Sequence, residues 1–266
     1  MRNALPVFRR TLADSWRSLL GWTAGVAAAI SLYLPLFPSI AGDGQMLEII
    51  DSLPPELVNT LGYENLGSGA GYAQGTFFGL IGFLLLTIAA TSWGSAAIAG
   101  AEESGRLELT LAHGVGRVQY ALESALAILV RLLWLGGFAA VLVIALDEPS
   151  ELGIEPAHVL AGSAALVALT MLSAAFALAV GALTGRRVFA TAAGAGVAVL
   201  GYVLNALANQ SEEAEPLRAV SPYAWAYDGN PLAEGADGGG LGVLVGLSVV
   251  LVAVATFALR RRDITG

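Results

Sequence analysis

Residues 76–100, TFFGLIGFLLLTIAATSWGSAAIAG, contain no charged side chain and no proline. A helix needs about 20 apolar residues to cross the roughly 30 Å hydrocarbon core of a bilayer. This stretch meets that requirement, and five other stretches also do. The predicted spans are residues 19–40, 76–100, 120–146, 157–184, 188–208 and 239–259. We therefore predict an all-α polytopic membrane protein with six transmembrane helices.

The composition of the whole chain agrees with this fold class. Of its 266 residues, 56% are hydrophobic and 13% are charged, about half the charged share of a typical soluble domain. The segments between the spans, including the outer loops at 41–75 and 209–238, lack the length and apolar content of a separate soluble domain. Residues 1–266 are therefore predicted to form a single transmembrane domain.

The distribution of arginine predicts the side of the membrane that each connection faces. All 13 positions counted as Lys+Arg are Arg. Eleven of them lie before the first span, between spans two and three, between spans four and five, or after span six. Since positive residues concentrate on the cytoplasmic side, both termini are predicted to be cytoplasmic. The predicted location is the cell membrane, which the chain crosses several times.

The residues that the chain lacks exclude several kinds of chemistry. Without Lys it cannot supply the phosphate-binding lysine of a Walker-type loop, and without Cys it has no thiolate catalysis or Cys-ligated metal. His113 and His158 are predicted on opposite faces of the membrane, so no metal site is expected. The net charge of −8 comes from acidic outer loops, and no nucleic-acid signature is present. We predict no catalytic or cofactor-binding residue in this chain.

The first 18 residues have the pattern of an amphipathic helix. Apolar residues recur at spacings of three and four, at Leu5, Phe8, Leu12, Trp16 and Leu19, while arginines occupy the other face. Such a helix lies in the membrane interface, with its apolar face among the acyl chains. The alternative is that the first span extends into the cytoplasm.

The connection at residues 102–117, EESGRLELTLAHGVGR, places three carboxylates on the side where Arg otherwise dominates. Gly105 interrupts helix continuity, and Ser104 is predicted to be the N-cap of a new short helix with Leu107 and Leu111 aligned on one side. A short amphipathic helix with acid on its exposed surface suits docking to another protein. The alternative is a solvated connecting loop.

The string IAGAEESGRLELTLAHGVGR, residues 98–117, resembles the stretch after the second span of type-2 permeases of ATP-binding-cassette (ABC) exporters. The matching residues are Glu102, Glu103, Gly105, Leu107, Glu108, Leu109, Leu111 and Arg117. Gly114 and Gly116 stand where that family usually has Pro and Ser. The six spans, the Arg-rich N-terminal helix, the long first outer loop and the C-terminal FALRRRDITG are also similar to the family, so the resemblance covers nearly the whole chain.

This resemblance implies a permease subunit of an exporter that is not itself an enzyme. The apolar bundle with almost no buried charge favours a hydrophobic or amphipathic small molecule as its cargo, with ions and short peptides as alternatives. A coupling helix at about 103–112 would rest in a cleft of a separate ATPase subunit. The implied docking residues are Glu102, Glu103, Gly105, Leu107, Glu108, Leu111 and Arg117. The implied partners are two copies of that ATPase, which bind ATP and Mg, a second identical or homologous permease, and membrane lipid. The alternative is a non-transport scaffold or assembly factor that holds a cytoplasmic partner.

Arg131 lies about 16 Å into the third predicted span. An Arg at the centre of a membrane helix costs about 2.5–3.5 kcal/mol, so a partner or a wet cavity is expected. It is a candidate for the translocation path or for a subunit contact. The alternative is that it snorkels toward a carbonyl or a lipid headgroup.

Both outer loops contain further candidate elements. In the first, Pro54 and Pro55 are predicted to separate two short helices. In the last, the motif SPYAWAYDGNPL (221–232) is rich in aromatic residues. The resemblance implies that it forms short helices that re-enter the outer leaflet near the exit of the substrate path, with Pro222, Tyr223, Trp225 and Tyr227 as candidate residues. The alternative is an interfacial aromatic belt without substrate contact.

Overall fold

The computed structural model describes residues 5–42, 67–211 and 213–262, and within these ranges all regular structure is helical. Six helical segments are long and apolar enough to cross a membrane, which confirms the predicted fold class. They are Pro6–Ser39, Gly69–Ala97, Arg117–Asp147, Pro156–Thr184, Arg187–Ala208 and Gly238–Arg261. The predicted pair of short helices around Pro54 and Pro55 lies outside the described residues.

The α-helices are numbered in chain order. They are α1 (Pro6–Tyr33), α2 (Phe37–Gly42), α3 (Gly69–Ala73), α4 (Gly82–Ala97), α5 (Ala99–Glu103), α6 (Arg106–Ala112), α7 (Arg117–Asp147), α8 (Pro156–Thr184), α9 (Arg187–Ala208), α10 (Pro222–Tyr227) and α11 (Gly238–Arg261). A π-helical segment, Gln74–Ile81, joins α3 to α4, and a 3₁₀ helix, Glu215–Val220, precedes α10.

The N-terminal segment and the first span form one continuous helix, α1. Its 28 residues extend for about 42 Å, longer than the roughly 30 Å hydrocarbon core. Of the two arrangements considered from the sequence, the continuous helix is the one that the structure contains. When the apolar part of α1 spans the hydrocarbon core of the bilayer, the extra length places the N-terminal turns, which carry the Arg residues, at the membrane–water interface.

The central helix of the bundle is α8, which is the most deeply buried span and packs against α4, α7, α9 and α11. Small residues make this close packing possible. A Cβ atom on Gly94 of α4 would lie 2.5 Å from the carbonyl oxygen of Ala174 in α8. A Cβ atom on Gly194 of α9 would lie 2.7 Å from the carbonyl oxygen of Ser173. The backbones of α4 and α9 therefore approach α8 directly.

Replacing Gly94 by Ala should destabilise the bundle, because the new methyl group meets a backbone oxygen that cannot move without separating α4 from α8. Overpacking of this kind costs about 1–3 kcal/mol. Gly137→Ala is a matched control, since Gly137 also lies in a span but has open space around it. Thermal unfolding in detergent, followed by tryptophan fluorescence, should show a lower Tm for Gly94→Ala only. Equal Tm values for the two variants would contradict the close approach.

Candidate functional site

The connection between spans two and three folds into two short helices, α5 and α6. Gly105 separates them with a φ of +69°, which glycine adopts without strain. The short helix that the sequence predicts is present as α6, but the predicted N-cap at Ser104 is wrong. The Ser104 hydroxyl donates back to the carbonyl oxygens of Gly100 and Ala101, so it belongs to the end of α5. Gly105 occupies the N-cap position of α6 instead.

The two faces of α6 differ sharply in exposure. Leu107 is fully buried in the hydrophobic core of the bundle, and Leu111 is partly buried against that core. On the opposite side, Leu109 is 63% exposed, and Glu108 beside it is also exposed. Leu107 therefore anchors the helix, while Leu109 and Glu108 form an outward face with one large apolar side chain and one carboxylate.

The acidic pair that precedes α6 is engaged in contacts within the chain. Glu102 forms an ion pair with Arg262 at the end of α11, and only 11% of its side chain is exposed. An oxygen of Glu103 accepts a 2.8 Å hydrogen bond from the backbone N–H of Arg187, the first residue of α9. These two carboxylates, predicted as docking groups, thus link the start of the connection to α9 and α11.

Arg117, which follows α6, binds the same end of α11. Its Nη1 donates to the carbonyl oxygens of Leu259, Arg260 and Arg262, the last at 2.7 Å. A cation is favourable there because the last carbonyls of a helix lack intrahelical donors and carry partial negative charge. We call Glu102, Glu103, Arg117, Arg187 and Arg262 the acid–arginine cluster. This cluster links both ends of the connection to α9 and α11.

Glu123 of α7 has a role that the sequence analysis missed. Its buried carboxylate accepts hydrogen bonds from the backbone N–H groups of Val7 (2.7 Å) and Phe8 (2.9 Å) and from the side-chain amide of Gln119 (2.7 Å). The N-cap residue of α1, Leu5, supplies no side-chain cap. Glu123, a residue of another helix, therefore caps the N-terminus of α1. Its negative charge also interacts favourably with the dipole of α1 at that end.

Replacing Glu123 by Ala should loosen the N-terminal turn of α1, because the buried N–H of Val7 and the part-buried N–H of Phe8 lose their acceptor. An unsatisfied buried donor costs about 1–3 kcal/mol, so the amides of Val7 and Phe8 should exchange with solvent about tenfold faster. Hydrogen exchange read by mass spectrometry measures this, with Val26 in the middle of α1 as the internal control. Glu123→Gln retains an acceptor oxygen and should have a smaller effect. Unchanged exchange in Glu123→Ala would contradict the capping role.

Arg131 lies inside the bundle, between α7 and α4. Its Nε donates to the carbonyl oxygen of Ala127 at 3.0 Å, and its guanidinium carbon lies 4.4 Å from the centre of the Trp93 ring. This acceptor lies one turn earlier in the same helix, and a role of Arg131 in the translocation path or in a subunit contact stays a prediction. No carboxylate of the described ranges pairs with Arg131, so stacking on Trp93 and the carbonyl bond hold its buried charge.

The aromatic residues of the segment between α9 and α11 attach α10 to the bundle. The hydroxyls of Tyr223 and Tyr227 donate to the carbonyl oxygens of Gly79 and Phe78, each at 2.9 Å. Burial raises the pKa of both phenols, so both remain protonated donors. Their acceptors lie in the π-helical segment that precedes α4. Trp225 donates instead to the nearby carbonyl oxygen of Ala219.

The start of α10 is fixed in a similar way. Ser221 accepts from the N–H of Ala224, as an N-cap, and donates to the carbonyl oxygen of Gly201 in α9. Pro222 is buried at the first position of the helix, where its missing N–H costs nothing. The four predicted residues of this segment therefore lie close together, and two of them bond directly to the second span.

Six apolar helices, one of them central to the bundle, and a short helix between spans two and three define a polytopic helical membrane protein. The family model described as multidrug efflux system permease Rv1217c, C-terminal domain, matches residues 12–260. The chain belongs to this family of multidrug efflux permeases, in agreement with the resemblance to ABC-type permease subunits that residues 98–117 carry. A comparison with curated proteins finds no match.

Proposed function

We propose that this chain is the membrane-spanning subunit of an ABC exporter in a prokaryotic plasma membrane, and that it moves a hydrophobic or amphipathic small molecule out of the cell. The observation that carries the proposal is the match to a multidrug efflux permease over residues 12–260. Two separate ATPase subunits bind ATP and Mg and supply the energy. A second permease subunit, identical or homologous, completes the transporter.

The geometry of α6 supports its role as the coupling helix. Leu109 and Glu108 face outward and can enter a cleft that offers an apolar pocket and a Lys or Arg. The other residues that the resemblance implied for docking act indirectly: Leu107 and the acid–arginine cluster hold α6 to the bundle, and Gly105 sets the turn before it. Leu111 lies at the edge of the docking face.

The proposed mechanism converts ATP binding into a shift of the spans. When ATP draws the two ATPase subunits together, the cleft of each subunit moves the α6 helix that is docked in it. The acid–arginine cluster then passes this displacement to α9 and α11. ATP can drive this shift only through its different affinity for the two conformations. Export follows when access to the bound molecule changes from the inner to the outer side.

The proposed orientation can be tested with single cysteines, because the chain has none of its own. His113 after α6 and Val220 before α10 are both exposed, and three spans separate them in the chain. A membrane-impermeant maleimide should label Val220→Cys on intact cells, whereas His113→Cys should react only after permeabilisation. Labelling of His113→Cys on intact cells would place α6 outside and exclude docking to an ATPase in the cytoplasm.

The proposed activity can be tested by reconstitution. The permease is purified together with an ABC-type ATPase and placed in liposomes. These liposomes are then loaded with a lipophilic fluorescent dye. We expect ATP-dependent movement of the dye, and none with an ATPase variant that binds but does not hydrolyse ATP. If the ATPase binds through α6 but its turnover does not respond to any dye and no dye moves, the scaffold function is supported instead.

A further inference from the structure

An apolar groove runs along the outside of the bundle between the end of α8 and α11. It encloses about 610 Å³, and hydrophobic side chains, including Leu183 of α8, form most of its wall. Val250, Val254 and Phe257 line it, and Arg261 follows at its end. Because these four residues succeed one another at intervals of four, three and four, they form a single stripe on one face of α11.

One end of this groove is cationic. The guanidinium carbon of Arg261 lies 4.3 Å from the centre of the Phe257 ring, and Arg261 forms no ion pair within the described part of the chain. Arg262 also lines this end and pairs with Glu102, but its buried Nε has no hydrogen-bond partner among the described residues. Stacking on Phe257 orients one guanidinium at the groove end, with its N–H groups available to an anion.

The length of the stripe matches one leaflet of a bilayer. From Val250 to Arg261, α11 rises by about 16 Å, close to half of the roughly 30 Å hydrocarbon core. When the arginines lie at headgroup level, the stripe therefore ends near the midplane. Val250 and Phe257 are each more than half exposed, so the groove is open toward the lipid.

We propose that this groove binds an anionic phospholipid. The phosphate lies at Arg261 and Arg262, and one acyl chain lies along the stripe from Phe257 to Val250. A small inorganic anion would leave the apolar wall uncovered, whereas a phospholipid satisfies both the charged end and the 16 Å apolar stripe. Because Arg262 also binds Glu102, the lipid site is directly connected to the acid–arginine cluster. The proposal needs only the membrane location of the chain and does not depend on export.

The test uses the purified full-length permease, with binding of phosphatidylglycerol or phosphatidylcholine of identical acyl chains measured by native mass spectrometry. Arg261→Gln removes the headgroup contact, and Arg260→Gln is the matched control, since Arg260 is exposed and does not line the groove. Ala253→Trp fills the groove at one of its lining residues. Val249→Trp adds the same side chain at an exposed position of α11 outside the lining.

We expect the wild type, Arg260→Gln and Val249→Trp to retain phosphatidylglycerol and to release phosphatidylcholine. Arg261→Gln should bind phosphatidylglycerol about fivefold more weakly, the usual effect of one arginine near a lipid headgroup. Ala253→Trp should also bind phosphatidylglycerol more weakly, because the Trp side chain occupies the groove in which the acyl chain lies. Equal losses in Arg260→Gln and Arg261→Gln would show diffuse attraction and overturn the proposal. Equal retention of both lipids, or unchanged binding in Ala253→Trp, would also overturn it.

Discussion

The Leu109→Asp variant is expected to lose the ATPase subunit during purification and to lose ATP-driven transport with it. Leu109 is the large apolar side chain that α6 presents outward, at 63% exposure, so docking is the step that would bury it. Burial of a leucine contributes about 1.5–3 kcal/mol, and each 1.4 kcal/mol is a factor of ten in affinity. Removing this side chain and placing a carboxylate in the apolar part of the cleft should weaken binding by at least about tenfold.

The control for this variant must add the same charge without touching α6. Val220→Asp does so, because Val220 is an exposed apolar residue at the end of the 3₁₀ helix that precedes α10. Copurification with the ATPase and ATP turnover in liposomes are measured for both variants. Because Leu109 is exposed, the fold of Leu109→Asp should be intact, with the wild-type Tm. Normal ATPase binding by Leu109→Asp would remove the outward face of α6 as the docking surface.

Local patterns in the sequence were sufficient to predict the spans and the existence of α6. Residues 76–100 have no alternative to a buried or membrane-spanning helix, because they contain no charge that could face water. Gly105 and Gly114 adopt positive φ on either side of α6, so its limits are encoded by the glycines themselves. The N-cap at Ser104 was wrong because the same serine can also bond back to the preceding helix, a choice that sequence spacing does not decide.

The pairing of charges could not be predicted from the sequence. The sequence indicates Glu102 and Glu103 as exposed docking groups, because nothing local reveals their partners in α11 and α9, which are more than 80 residues away in the chain. The capping role of Glu123 is hidden for the same reason, since its donors Val7 and Phe8 lie more than 100 residues earlier in the chain. Hydropathy and arginine counts assign residues to a side of the membrane, but helix packing decides which of them meet.

Reversing the charge of Arg262 should uncouple ATP hydrolysis from transport. The Arg262→Glu variant sets a carboxylate against Glu102 and leaves the start of the α5–α6 connection without its link to α11. Exposed ion pairs contribute up to about 1 kcal/mol, whereas breaking a buried pair costs about 3–5 kcal/mol. With exposed fractions of 23% and 11%, this pair lies between these limits, and we expect a loss of about 2 kcal/mol in stability.

The double variant Glu102→Arg/Arg262→Glu distinguishes this link from a general loss of charge. It restores opposite charges at the same two positions, so dye transport should recover most of the wild-type rate, while Arg262→Glu alone transports at least about tenfold more slowly. Arg10→Glu is the matched control, because it breaks the ion pair with Asp14, both of whose side chains are largely exposed.

The two variants distinguish docking of the ATPase from transmission of its movement to the spans. In Arg262→Glu, Leu109 and its neighbours still face outward, so the ATPase should copurify and hydrolyse ATP while the dye stays in place. In Leu109→Asp, by contrast, the ATPase itself should be absent. Wild-type transport by Arg262→Glu would show that the acid–arginine cluster does not carry the displacement. The hydrogen bonds of Arg117 to the end of α11 would then be the remaining connection between α6 and that span.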